Sequence, residues 1–496
     1  MSHCLVFDIG KTHVKWHVVD AKQKTIALKE IENEVSHEGE YPHVNVDMLW
    51  QAFIDTVQGF KMRASIKRLC VATHGATAAL IDRDILFNED CKSKNKNTDG
   101  LVLPIMDYEF SGIETVNDEY NLLRPNEKVT GNPSLSAGLN LGRQFFWQQK
   151  NFPDRFQTAT DILLYPQYWT WRLTGKRFSE VTSLACHTDL WAPWENTFSP
   201  LVHEQGWLEK FPPLASAWEV AGRIDSDVAK QSGISPNCEV FVGVHDSNAS
   251  YLLYKRAMVE APFSVVSTGT WSIVMDANAE RDVLQVEKDM LVNMDVGAKP
   301  VMCSRFMGGR EFSDICYQLE NEIAGFENIS KKNYSFPESY RKYNYTVQDL
   351  KKILAAKVFC LPSWQKGAGP FGNQRGRIVG ELNNDIVPAA LASLYCALML
   401  DYQLDLVESR GNVIITGAFL KNKNLVQLLA QLRAPQAVHT SSGLNATVMG
   451  AEKLTRWDQE DAPMKLNRVD ASEFNSLVDY KKLWRQLCLN DRLTDS

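Results

Sequence analysis

The chain is short of long runs of any one kind. No stretch of basic residues interrupts a net charge of −7, which argues against a nucleic-acid partner, whose phosphates favour a basic face. The longest nearly uninterrupted apolar run, Val387 to Leu400, falls short of the ~20 residues that a membrane span requires. Only a four-residue apolar run precedes Asp8, too short for the apolar core of a secretory leader, so a cytoplasmic location is expected. Ten cysteines are present without a single CxxC spacing. Reduced core filler is therefore expected, because a metal site would show paired spacings.

What is present is ordinary in bulk and specific in detail. Apolar residues make up 44% and charged residues 23% of 496, a length at which two domains are expected. The central stretch, Val242 to Trp271, organises the remainder. Glu239 to Val244 reads as one buried strand that delivers His245-Asp246 to its carboxyl end, where open α/β sheets place reacting groups. Phe263 to Met275 reads as a β-hairpin whose turn, Ser267-Thr268-Gly269-Thr270, has the hydroxyls and glycine that let backbone N–H groups approach an anion. A base beside an anion cradle points to phosphoryl transfer. The amino terminus repeats the hairpin: Leu5 to Asp8, a turn through Gly10-Lys11-Thr12-His13, and a return over Val14 to Val19. Two such units suggest two related halves facing one cleft.

Other segments fill in the halves. Helical spacing predicts a helix over Val46 to Lys61, and Arg68 to Thr73 reads as a strand ending in His74-Gly75-Ala76-Thr77. Thr73 to Thr77 and Asp107-Tyr108-Glu109 are candidate contacts for a hydroxylated substrate. Aromatic-rich helices are predicted over Leu139 to Lys150 and Asp161 to Thr174, with their rings read as packing. The polar stretches Ser179 to Ser183 and His187 to Asp189 are placed at the substrate's border. Lys92, Lys94 and Lys96 read as a solvated loop, as do Ser330 to Tyr345. Gly308-Gly309 precedes a helix whose N–H groups can face a nucleotide. Gly450-Ala451 lies early in a helix capped by Asn445, where small residues allow close approach.

Two glycine motifs are discarded. Gly367 to Gly372 fits GxGxxG, but Pro370 removes a backbone donor and the loop continues where a dinucleotide fold starts its helix. Gly10-Lys11-Thr12 mimics the end of a P-loop, but strand-turn-strand replaces strand-loop-helix.

With these pieces in order, the chain resembles the FGGY carbohydrate kinases of the actin, Hsp70 and hexokinase-like ATPase superfamily. The resemblance rests on Asp8-Ile9-Gly10-Lys11-Thr12, Gly243-Val244-His245-Asp246, Ser267-Thr268-Gly269-Thr270-Trp271-Ser272, and Arg172-Leu173-Thr174-Gly175 at a helix end. The wording around His245-Asp246 and Trp271 is similar to the rhamnulokinase and fuculokinase branch. The resemblance implies an α/β fold of two ribonuclease H-like domains flanking a central cleft, divided as 1–247 and 248–496. It implies Asp246 as general base, Gly10, Lys11, Thr12, His13, Thr268, Gly269 and Thr270 around the ATP phosphates, and Asp8 holding Mg²⁺ through water. Gly75 and His245 would contact sugar, with Thr73, His74 and Asp107 alongside; Gly309, Gly417 and Asn422 would contact nucleotide.

The implied reaction is phosphorylation of a small ketose at a primary hydroxyl, the substrate being a 6-deoxyketohexose such as L-rhamnulose or L-fuculose, or a ketopentose such as xylulose. The alternatives are an actin-like or Hsp70-like ATPase acting on a protein partner, and a non-catalytic sugar sensor. Sugar-stimulated ADP release separates the first from the kinase. The oligomeric state is open, with a homodimer among the options.

Overall fold

The computed structural model describes residues 2–84, 99–258, 262–323, 343–441, 445–460 and 464–490. The lysine loop at 92–96 and most of the segment 330–345 lie outside them. The chain divides into two compact units, Met1–Ala257 with Val292–Pro300 and Leu444–Ala462, and Met258–Leu291 with Val301–Gly443 and Pro463–Ser496.

The first unit is built on a seven-stranded sheet. Its strands are β1 (His3–Ile9), β2 (His13–Val19), β3 (Thr25–Glu32), β4 (Ile66–Thr73), β5 (Val220–Arg223), β6 (Glu239–Phe241) and β7 (Val244–His245). The order is β5-β6-β4-β1-β2-β3, with β7 also pairing with β4. β1, β2 and β3 form an antiparallel meander, while β4 runs parallel to β1 and to both β6 and β7. The strand expected over Glu239 to Val244 is thus two strands, broken at Val242-Gly243. Gly243 adopts φ +94° there, and a Cβ on it would lie 3.1 Å from the Val71 carbonyl oxygen, so only glycine fits.

Helix α1 (Val46–Gly59) begins at Asn45, whose side chain accepts the Met48 N–H at 3.1 Å, and lays Leu49, Phe53 and Val57 on the sheet at four-residue spacing. Phe7 is stacked on Trp16 at 5.2 Å and meets Trp169 edge-on at 5.5 Å. The expected helix over Asp161 to Thr174 is a strand, Asp161–Leu164, followed by helix α2 (Tyr165–Thr174) that ends at Gly175 with φ 72°. Short apolar runs of this kind carry no period that distinguishes strand from helix. The aromatic rings of α2 are buried in the core.

Helix α3 (Asp246–Ala257) follows β7 directly. Against it lies a late helix of the chain, Ala446–Leu454, so closely that a Cβ on Gly450 would stand 1.8 Å from the Ala249 carbonyl oxygen. That contact explains the small residues after Asn445. It also assigns Leu444–Ala462 to the first unit, where a single division after residue 247 would leave it in the second.

The second unit repeats the strand order. Its sheet contains β8 (Phe263–Thr268), β9 (Ser272–Asp276), β10 (Pro300–Phe306), β11 (Asn412–Gly417) and β12 (Val438–Ser441). β8, β9 and β10 form an antiparallel meander, and β11 runs parallel to both β8 and β12. The helix Pro388–Leu406 is apolar all round and buried on nearly every side.

Candidate active site

In the first unit the ladder itself assembles the acids. Asp8 on β1 pairs with Ala72 of β4, and β7 flanks β4 on its other side with Val244 beside the same Ala72. Asp246 therefore emerges two strands from Ile9, about 10 Å across the sheet, at the same carboxyl edge. Burial and the nearby Asp246 carboxylate push the Asp8 carboxyl up to about 7; Lys15 opposes them. Lys15 is itself 3.4 Å from Glu30.

Asp246 is held through one oxygen. Its Oδ1 accepts the Ser247 N–H at 2.5 Å and the Ser247 hydroxyl at 3.2 Å, and lies 3.2 Å from His245 Nε2. A helix cap would bond the N–H two or three residues on, so these contacts orient a carboxylate instead of closing a helix. His245 is buried; its N–H donates to the Thr182 hydroxyl at 3.1 Å, Nδ1 meets Asn248 Oδ1 at 2.5 Å, and Nε2 lies 3.4 Å from Cys186 Sγ. Thr182 in turn donates to the wholly buried Glu180 at 2.6 Å, whose carboxyl burial pushes up to about 7. Gly75 completes this wall: a Cβ there would lie 2.6 Å from Cys186 Sγ and 3.2 Å from His245 Nε2.

The neighbouring positions are more heavily engaged. Thr73 is buried with its hydroxyl donating to the His74 carbonyl at 2.9 Å. His74 Nδ1 is 3.0 Å from the Gly75 carbonyl oxygen, its ring packs on Tyr108 and Tyr165, and burial lowers its affinity for a proton. In the turn, the Gly10 N–H donates to the His13 carbonyl at 2.9 Å and the Asn33 amide donates to the Gly10 carbonyl at 2.8 Å. Thr12 and His13 are exposed, with 2.9 Å between the hydroxyl and Nδ1. Lys11 reaches Asp107, with Nζ 2.5 and 2.6 Å from its two oxygens and 4.8 Å from the centre of the Tyr108 ring. A residue expected on phosphate and one expected on sugar are thus each other's partners.

The second unit presents a different hairpin. Thr268 is buried, its hydroxyl donating to the Thr416 carbonyl at 2.6 Å and accepting the Phe419 N–H at 3.0 Å. Gly309 opens its helix against the turn, donating to the Gly269 and Thr270 carbonyls at 3.1 and 3.2 Å. Cβ atoms on Gly309 and Gly417 would lie 2.3 Å from the Gly269 oxygen and 1.9 Å from the Thr268 oxygen. Asn422 caps the helix Lys423–Leu432, accepts from Tyr345 at 2.7 Å and donates to Ser393 at 2.8 Å. The Arg305 guanidinium covers the Trp271 ring at 4.9 Å. The discarded Gly367 to Gly372 stretch is a turn, with the Gly367 N–H donating to the Gly372 carbonyl at 2.9 Å.

Two family models match the chain. The N-terminal domain of the FGGY family of carbohydrate kinases matches residues 129–252, and the carbohydrate kinase FGGY C-terminal domain matches residues 260–463. The chain belongs to the FGGY family of carbohydrate kinases. This FGGY chain is 28% identical to a carbohydrate kinase from Novosphingobium aromaticivorans, whose crystal structure superposes with a TM-score of 0.83 over 98% of this chain and 100% of that one. It is 24% identical over 299 residues to a probable L-xylulose kinase of Pasteurella multocida, covering 58% of each. It is 22% identical over 290 residues to an L-fuculokinase of Haemophilus influenzae, covering 55% of this chain and 57% of that one. The matches span little more than half the length of these curated relatives. The structure has the two-domain actin-like ATPase fold of FGGY kinases. Among the described residues no helix is long and apolar enough to cross a membrane.

Sequence reasoning missed Asn33, Cys186 and Tyr345 among the supports of the site, while Glu180 and Thr182 lie within the stretch Ser179 to Ser183 that it placed at the substrate's border. Asn248, three residues after His245, had a readable signal, since that spacing returns to the same helix face. Cys186 had none, being brought in by topology alone.

Proposed function

We propose that this chain is an ATP- and Mg²⁺-dependent kinase that phosphorylates a small ketose at a primary hydroxyl. The observation that carries the reading is the pairing of Asp8 and Asp246 on one sheet edge, beside the Gly10 to His13 turn. Asp246 suits the general base: its contacts among the described residues hold Oδ1, and the other oxygen is offered to the sugar hydroxyl. Such a base contributes about 10² to 10⁴ in rate. His245 and Gly75 form the wall against which the sugar lies, and the half-buried His74 and the Asp107 loop border it.

Asp8 fits a hydrated Mg²⁺. Its carboxyl is raised by burial and by a second acid, so a cation nearby would restore the ionised form. No cluster of three or more His, Cys, Asp or Glu residues able to hold a metal occurs among the described residues. Mg²⁺ commonly binds through one or two carboxylates, phosphate oxygens and water. When bound, it would neutralise charge on the phosphates of ATP. The Thr268 to Thr270 turn would face phosphate oxygens in the second unit, with the Gly309 helix behind it and Gly417 and Asn422 shaping the nucleotide's surroundings. ATP as donor and the buried free cysteines, nine among the described residues, suit a cytoplasmic setting.

The test is ATP turnover against a panel of ketopentoses, 6-deoxyketohexoses and polyols, with Asp246→Asn beside the natural chain. One or a few ketoses should stimulate ADP release, and Asp246→Asn should lower kcat by about 10² to 10⁴ while still binding sugar. Sugar-independent ADP release, or full turnover in the variant, would overturn the reading.

A further inference from the structure

The protonation of His245 is written in the contacts around it. Asn248 is 1% exposed, and its Nδ2 donates to the Met294 carbonyl, an atom that can only accept. That bond fixes the amide, so the oxygen turned toward His245 is an acceptor. Nδ1 of His245, 2.5 Å away, must then carry a hydrogen. The opposite nitrogen, Nε2, sits between Asp246 Oδ1 at 3.2 Å and Cys186 Sγ at 3.4 Å. A bare Nε2 would direct its lone pair at the Asp246 carboxylate.

We propose that Asn248 is a positioning residue that holds His245 as an imidazolium, which donates through Nε2 to Asp246 Oδ1 and so aims the other carboxylate oxygen of Asp246 at the acceptor hydroxyl. This inference rests on the kinase reading for its consequence in turnover, though not for the state of the ring. The proton balance closes within the site: the Cys186 S–H breaks, its proton moves to Nε2, and a thiolate and an imidazolium remain side by side. Consistently, Cys186 and Asp246 raise the proton affinity of His245 to a value about 10 despite burial, and His187 and His245 lower the Cys186 thiol to about 5 despite burial. Other titratable groups facing the pair include His74, which opposes the imidazolium, Glu180, which favours it, and the Tyr108 phenol, held neutral by burial and by the neighbouring acids and Cys186. Gly75 leaves the room for this arrangement, since a methyl group there would strike Cys186 Sγ.

The test uses the full chain with ¹⁵N-labelled histidine. At pH 7.5 the ring of His245, assigned by its loss in His245→Gln, should show both nitrogens protonated. In Asn248→Leu the Nδ1 proton should be lost and kcat/KM for the ketose should fall by about tenfold, the scale expected when a buried donor loses its acceptor. Asn248→Asp, which keeps an acceptor oxygen toward Nδ1 while giving up the donor to the Met294 carbonyl, should retain the doubly protonated ring and the ATP KM. A neutral His245 in the natural chain, or a doubly protonated ring in Asn248→Leu, would overturn the proposal. The spectra read the ring without turnover, so they stand even if no ketose proves to be a substrate.

Discussion

The two hairpins occupy equivalent places in their sheets and are built in opposite ways. On the first, Asp8 pairs across to Lys15 and Ala72, and Ile9 pairs with Val14 and Thr73. On the second, Ser267 pairs with Ile273 and Thr416, and Thr268 pairs with Ser272 and Gly417. The first therefore has a carboxylate where the second has a serine, and a threonine where the second has a glycine. The first turn is open, with Lys11, Thr12 and His13 at least partly exposed. The second is clamped by glycines on two sides. One hairpin carries charge and the other carries shape.

The sharpest way to break that contrast is one methyl group in the first turn and one on the strand that packs against the second. Gly417 has φ 91° and ψ −150°, a region held almost solely by glycine, and Gly417→Ala would also drive Cβ into the Thr268 carbonyl. A loss of more than about 3 kcal/mol in chemical unfolding is expected. Gly10→Ala meets only the His13 carbonyl oxygen at 3.0 Å. It should cost about 1 kcal/mol or less. Equal losses would show that the two turns are gripped alike.

Next in size is Asp8→Asn, which makes the first hairpin resemble the second. Burial and Asp246 raise the folded-state pKa of Asp8 from 3.8 to about 7. Between these values the folded chain keeps a proton that the unfolded chain has released, so stability falls as pH rises through that window. Asp8→Asn should therefore raise the melting temperature at pH 8 by roughly 2–5 °C in the absence of Mg²⁺, and leave it unchanged near pH 4. Turnover with Mg-ATP should be lost at both. A variant less stable than the natural chain at pH 8 would mean that Asp8 is paired as an anion.

Much of this contrast is legible in the residues, and the limits have physical causes. Both hairpins, both turns and the emergence of His245-Asp246 at a strand end follow from apolar runs punctuated by glycine and hydroxyls, whereas the third strands Thr25–Glu32 and Pro300–Phe306 were not read. The break at Gly243 does not, because a glycine inside an apolar run reads equally as strand interior or bulge. The strand Asp161–Leu164 was hidden by the aromatic helix that follows it without a turn. The roles of Thr268 and Asn422 were legible only as polarity; that their side chains are spent on Thr416, Phe419, Ser393 and Tyr345 depends on contacts far away in sequence. Cys186 beside His245 belongs to the same class.

The smallest expected effect decides what Lys11 does within the first hairpin. Its Nζ lies 2.5 Å from Asp107, whose side chain is 6% exposed, and 3.6 Å from Glu109. If the ammonium serves mainly to fix that loop, Lys11→Met should raise the KM for sugar by a few-fold and leave the KM for ATP nearly unchanged. Asp107→Asn should do the same, and the double variant should be little worse than either single one, with a coupling of about 1 kcal/mol. If instead the lysine leaves Asp107 for phosphate during turnover, Lys11→Met should act on ATP and kcat while Asp107→Asn acts on sugar, and the two losses should add. Initial rates with both substrates varied separate these outcomes, and the additive result would extend the charge-bearing role of the first hairpin from its strand end to its turn.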